Sequence, residues 1–131
     1  MFTLSNTLTY HLYRPVCDMR KSFDGLCGLV RRDLGRDPTG GEVYIFINRR
    51  RTHIKLLQWQ SGGFVLYYKR LEKGTFPVPQ MTPDQTLVRW PELVMMIEGI
   101  RVERARQLPR FEVVKNGQKV DKNTVFNGIS G

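Results

Sequence analysis

The sequence has no apolar run approaching the roughly 18 residues that a membrane-spanning helix needs. No charged-then-apolar leader opens it. The expectation is a soluble, cytoplasmic protein with no membrane partner. Cysteine is scarce: Cys17 and Cys27 are too few for a disulfide framework and fit no zinc spacing. Cys27 reads as a small core residue on a helix. Histidine is equally scarce. His11 and His53 lie far apart, with no Cys or His at ligand spacing, so no metal is expected. The sequence also lacks a GxxxxGK phosphate loop and a dinucleotide glycine pattern. Gly40-Gly41 and Gly62-Gly63 read as turns, and no cofactor is expected.

Catalytic groupings are missing as well. A cysteine nucleophile needs a positioned histidine, and nothing in the chain asks for one. Asp18, Asp24, Asp33 and Asp37 are near one another in sequence, as a metal-dependent nuclease would require. Three of them have simpler readings: Asp18 as a helix cap, Asp33 in a local ion pair, Asp37 before Pro38 in a turn. A non-catalytic protein that works by binding is therefore expected, with a small nuclease or RNA-processing enzyme as the weakest of three readings.

What is present is a chain of one-domain length, 131 residues, with 40% hydrophobic residues to build a core. Residues 10–14 alternate as a strand does, although Pro15 argues against a continuing central strand. Residues 18–34 read as an amphipathic helix: Asp18 caps it, Met19, Phe23, Leu26, Cys27, Val30 and Leu34 share one face, and Gly35 ends it. Gly25 and Gly28 inside it suggest close packing against a sheet. Residues 42–48, 53–60 and 64–71 read as an antiparallel meander, with one sheet face left partly exposed. Residues 74–83, with Pro77, Pro79 and Pro83, read as a linker. A second helix is expected from Pro91 to a stop at Gly99. The fold class is α+β: a three- to four-stranded antiparallel meander on one N-terminal helix, with a short second helix and a basic C-terminal tail. Residues 1–110 form the domain. Residues 111–131 form an extension, either a hairpin about Asn116-Gly117 or a flexible end.

Acidic residues are in short supply: 12 Asp+Glu against 21 Lys+Arg, a formal charge of +9. Such an excess points to a polyanionic partner. Most of it lies between residues 49 and 73, where Arg49, Arg50, Arg51, Lys55, Lys69, Arg70 and Lys73 face only Glu72. Tyr44, Phe46, Trp59, Phe64, Tyr67 and Tyr68 are interleaved with them. Basic side chains for phosphates beside aromatics for bases make a nucleic-acid surface. The expected contacts are Arg49, Arg50, Arg51, Lys55, Lys69 and Arg70. Arg20, Lys21, Arg31 and Arg32 of the first helix extend them. The alternative reading is a protein-interaction adaptor using the apolar second helix and the free sheet face.

The run Asp18-Met19-Arg20-Lys21-Ser22-Phe23-Asp24-Gly25-Leu26 resembles the DMRKGFDGL stretch of the short accessory proteins of the insertion-sequence-sixty-six family (TnpB, the second-reading-frame product). Ser22 stands where that family often has glycine. The segments Val43-Tyr44-Ile45-Phe46, Ile54-Lys55-Leu56-Leu57-Gln58-Trp59, 63–76 and 93–100 follow in the family's order. The resemblance covers residues 14–100. It implies a bacterial mobile-element protein, accessory to transposition. It also implies a partner, a separate and much larger transposase that carries the acidic catalytic triad. The adaptor reading would have this chain dock on that transposase. The tail from Phe111 extends beyond the resemblance.

Overall fold

The strands are built from β-branched and aromatic residues and the helices from residues with a three-to-four period, and the two patterns sort into one sheet with a helix on each face. The computed structural model describes residues 4–98. In chain order these are β1 (Tyr10–Leu12), α1 (Phe23–Asp33), β2 (Val43–Ile47), β3 (His53–Gln60), β4 (Gly63–Arg70), β5 (Leu87–Val88) and α2 (Trp90–Glu98). The sheet has five strands in the order β4-β3-β2-β1-β5. Strands β2, β3 and β4 pair antiparallel in sequence, with Ile45 opposite Leu56 and Leu56 opposite Tyr67.

The sheet is wider than the expected three or four strands, and it is mixed. Strand β1 lies inside it, parallel to β2 and antiparallel to β5. Pro15 does not prevent this because β1 ends before it. Tyr13 N donates to Ile45 O at 2.8 Å. Two residues on, Pro15 has no N–H to offer Ile47 O, and Cys17 N supplies that bond at 3.0 Å. β1, α1 and β2 thus form a strand–helix–strand crossover, the connection a parallel pair requires.

Every residue of β2 is buried, the signature of a strand covered on both faces. On one face, α1 contributes Leu26, Cys27, Leu29 and Val30 to a cluster with Tyr44, Phe46 and Leu57. On the other, α2 contributes Leu93, Met96 and Ile97 to a cluster with Val43, Ile45, Ile54 and Leu56. The sheet face expected to be partly exposed is therefore occupied. Phe76 completes it, fully buried, so part of the expected linker is core.

Helix α1 begins later than its sequence pattern indicates. Ser22 holds the N-cap position without a side-chain bond. Asp18 is not the cap: its Oδ1 accepts from Arg20 N at 2.9 Å, closing a turn two residues long. Gly35 ends the helix at a φ of 64°, where a side chain would be strained. Gly25 and Gly28 do not meet the sheet. A methyl at Gly25 would touch Lys21 Cβ at 3.2 Å, and one at Gly28 the Arg32 guanidinium at 2.7 Å. For α2, Glu92 reaches back to accept from Arg89 N at 2.9 Å, half of a capping box. The proposed stop at Gly99, the arginines at 101–110 and the 111–131 extension lie outside the described residues.

Candidate nucleic-acid interface

The β2–β3 turn is held by its own backbone and by Asn48. Asn48 Oδ1 accepts from Thr52 N and His53 N, both at 2.9 Å, and Arg51 N donates to Asn48 O at 3.0 Å. Arg51 takes a left-handed φ of 59°. Two further bonds anchor the turn from outside: Phe76 N to Arg51 O at 2.7 Å, and Leu71 N to Thr52 O at 2.9 Å. A turn fixed in this way presents Arg49, Arg50 and Arg51 outward, all exposed. Among the described residues, no acid forms an ion pair with any of them.

Beside the turn, a groove of about 240 Å³ runs along the carboxyl ends of β1 and β2. Arg14, Arg49 and Arg51 line it, with Pro15, Val16 and Val78 among its apolar walls. The carboxyl end of a parallel pair is where open sheets with crossover helices place their ligands. Arg14 stands outside the basic runs of the sequence. Its only sequence signal is its place directly after a strand and before a proline.

Lys55 has a different role from the one expected. It is 5% exposed, and its Nζ donates to Met19 O and Lys21 O, both at 2.8 Å. It thereby pins the loop before α1 to the turn end of the sheet and is not free to meet a phosphate. That pin brings Arg20 and Lys21 to the same end as Arg49–Arg51, and the partial positive charge of the α1 amino terminus lies there too. Lys69 is also engaged. It donates to Ile97 O at 2.7 Å, a cation closing the last turn of α2. Arg70 pairs with Glu72 at 2.9 Å, both exposed. Arg20 pairs with Asp18 at 2.7 Å, and these hydrogen bonds hold the Asp18 carboxyl down at about 2. Arg31 and Arg32 occupy the last turn of α1, about 15 Å along the helix from its start, away from this cluster.

The interleaved aromatics separate just as clearly. Tyr44 and Phe46 are fully buried. Trp59 and Phe64 pack edge to face at 4.9 Å. Tyr67 joins the α2 side of the core. Tyr68 alone of the six is exposed, at 52%. Its ring lies 4.5 Å from Lys55 Nζ and 5.9 Å from the His53 ring. An open hollow of about 420 Å³ lies there, lined by His53, Tyr68, Arg70 and Glu72.

The other end of the sheet has the opposite character. Arg36 grips Glu42 with bonds of 3.0 and 3.2 Å. Glu42 also accepts from Tyr44 Oη at 3.1 Å. His11 Nε2 approaches Glu42 at 3.3 Å without hydrogen-bond alignment, while its Nδ1 meets Thr86 Oγ1 at 2.9 Å. Burial, and then the charge of Arg36, lower the His11 pKa against the opposing pull of Glu42, and the net shift favours the neutral ring. Burial is the largest single influence on Glu42 and opposes its ionisation, but the Arg36 bonds, the neighbouring His11, the Tyr44 hydroxyl and the Arg36 charge together outweigh it and its pKa falls. Among the described residues, no group of three or more His, Cys, Asp or Glu could hold a metal ion, and no helix is long and apolar enough to cross a membrane.

Comparison with known proteins agrees with the motifs. The chain is 28% identical over 96 residues to the uncharacterized protein y4jC of Sinorhizobium fredii (strain NBRC 101917 / NGR234), covering 73% of this chain and 81% of that protein. It is 30% identical over 84 residues to the uncharacterized protein y4hO of the same organism, covering 63% of this chain and 72% of that protein. No solved structure matches. The family described as IS66 Orf2 like protein matches residues 8–107, spanning every described element. The chain belongs to that family, the insertion-sequence-associated accessory proteins of the IS66 type.

Proposed function

We propose that this protein acts in the bacterial cytoplasm as a non-catalytic accessory of transposition that grips DNA phosphates through the turn end of its sheet, beside the element's separate transposase. One observation carries the reading: Arg49, Arg50 and Arg51 are exposed on a backbone-locked turn, without an acid partner among the described residues. Arg14 in the adjoining groove and Lys21 on the pinned loop extend the same surface. Arg20 and Arg70 join it by exchanging exposed carboxylate partners, which hold them weakly in water. Lys55 and Lys69 serve it indirectly, by fixing the loop and the second helix.

The adaptor alternative drew on the second sheet face and on α2. Leu93, Met96 and Ile97 of α2 pack on that sheet face, which leaves Val94 and the edge residue Leu87 as the exposed apolar side chains nearest to it.

The test is fluorescence anisotropy with labelled element-end and random duplexes across a salt series. Affinity is expected to fall with salt at a logarithmic slope of about −0.9 per phosphate neutralised. A salt-independent signal, or no binding at low salt, would overturn the reading and move attention to the transposase.

A further inference from the structure

Tyr68 is a large aromatic side chain left half in water on a strand whose other aromatics are packed. Its position is fixed rather than loose. The Lys55 ammonium sits 4.5 Å from the ring centroid, and that ammonium is itself held by two carbonyls on the loop before α1. The His53 ring flanks Tyr68 at 5.9 Å, inclined by 40°. The hollow at this ring is open and carries Arg70 on its rim, paired there with the exposed Glu72, a partner held weakly in water that a phosphate can replace. His53 is joined to Arg51 by one residue, Thr52, so the hollow borders the arginine turn directly.

A solvent-facing aromatic beside exposed cations is the combination that holds single-stranded nucleic acid: the cations follow the backbone and the ring takes an unpaired base. A base inside a duplex is already stacked and has no face to offer. We infer that His53, Tyr68 and Arg70 form a stacking platform for an unpaired DNA base, so that the protein prefers single-stranded or unpaired DNA ends to continuous duplex. The inference rests on the phosphate-gripping reading of the neighbouring turn and adds base contact to it.

The experiment compares a short oligothymidylate with an oligomer of equal length that keeps every phosphate but lacks the bases, and with a blunt duplex. All three are titrated against the full chain and against Tyr68→Leu, Tyr68→Phe and the triple Arg49→Ala, Arg50→Ala, Arg51→Ala variant. The native chain is expected to bind the oligothymidylate about tenfold or more tightly than the abasic strand, as one stacked base allows. Tyr68→Leu should close that gap and leave abasic and duplex binding unchanged. Tyr68→Phe, which keeps the ring, should preserve it. Circular dichroism of each variant confirms the fold. Equal affinity for thymidylate and abasic strands, or a gap that survives Tyr68→Leu, overturns the platform. If the triple variant still loses all binding in that case, the phosphate reading stands alone. If the native chain binds none of the three ligands, both fall.

Discussion

The two ends of the sheet use the same side chain in opposite ways. At one end Arg36 is neutralised by Glu42, which is also bonded by Tyr44, and the group is closed on itself. At the other, Arg14, Arg49, Arg50 and Arg51 have no carboxylate within pairing distance among the described residues. Repulsion among unpaired like charges works against the compact state, and a polyanion relieves it. A total charge of +9 does not distinguish the two situations. The pairing does, and it separates a cation that stabilises the fold from one available to a partner.

The largest effect should come from erasing the open end. Changing Arg49, Arg50 and Arg51 together to alanine is expected to reduce duplex affinity about a hundredfold or more at low salt. It should also make the salt slope shallower by roughly 2.7 if each contacts one phosphate. The melting temperature should hold or rise, because repulsion is relieved. At the closed end, Arg36→Ala should do the reverse, leaving binding intact while thermal stability falls.

Next in size is Lys55→Met. It strands the Met19 and Lys21 carbonyls and frees the loop that carries Arg20 and Lys21, at an expected cost of about 1–3 kcal/mol in denaturant unfolding. Lys69→Met loses a single bond at a half-buried site and should cost less. A lysine placed as a surface cation would show no such difference.

The closed end also predicts a pH dependence. The folded pKa of His11 lies below its ordinary 6.5, so the unfolded chain takes up the proton first. Stability is therefore fully present above that value and declines as pH falls through the lower folded pKa. His11→Gln should flatten the decline between pH 7 and 5 in thermal unfolding. Glu42 adds a separate loss at lower pH, below the ordinary 4.5, as its depressed folded pKa is passed. The smallest effect is a gain. Gly28→Ala meets only the movable end of the Arg32 side chain, and should stabilise α1 by up to about 1 kcal/mol without touching binding.

Much of this architecture could be read from local patterns. The strands at 43–47, 53–60 and 63–70 and the arginine turn between the first two are written in β-branched runs and short connections, which act over a few residues. The missed features depend on distant partners. A strand as short as β1 gives no sign that it will lie between β2 and residues 87–88. Met19 through Phe23 follow a helical spacing, yet the Asp18 carboxylate satisfies the Arg20 backbone and delays the helix to Phe23. Lys55 carried one usable hint. It sits between Ile54 and Leu56 on a strand that is apolar on both faces, where a charged residue must find buried acceptors. Nothing local named those acceptors, which lie more than thirty residues earlier. Tyr68 could not be told from Tyr67 by composition. Only the sheet's handing of alternate residues to opposite faces divides them.

The position of β1 has a consequence in time. As the chain leaves the ribosome, β2, β3 and β4 are able to pair once Arg70 has emerged, because each neighbours the next in sequence. Of the described elements β1 is made first, but its outer neighbour, Leu87–Val88, follows β4, and only α2 comes after it. Closing so long a loop is slow relative to local pairing. Among the described strands, β1 therefore waits with one edge unsatisfied until residues 87–88 emerge, and the sheet closes only when these two distant segments meet.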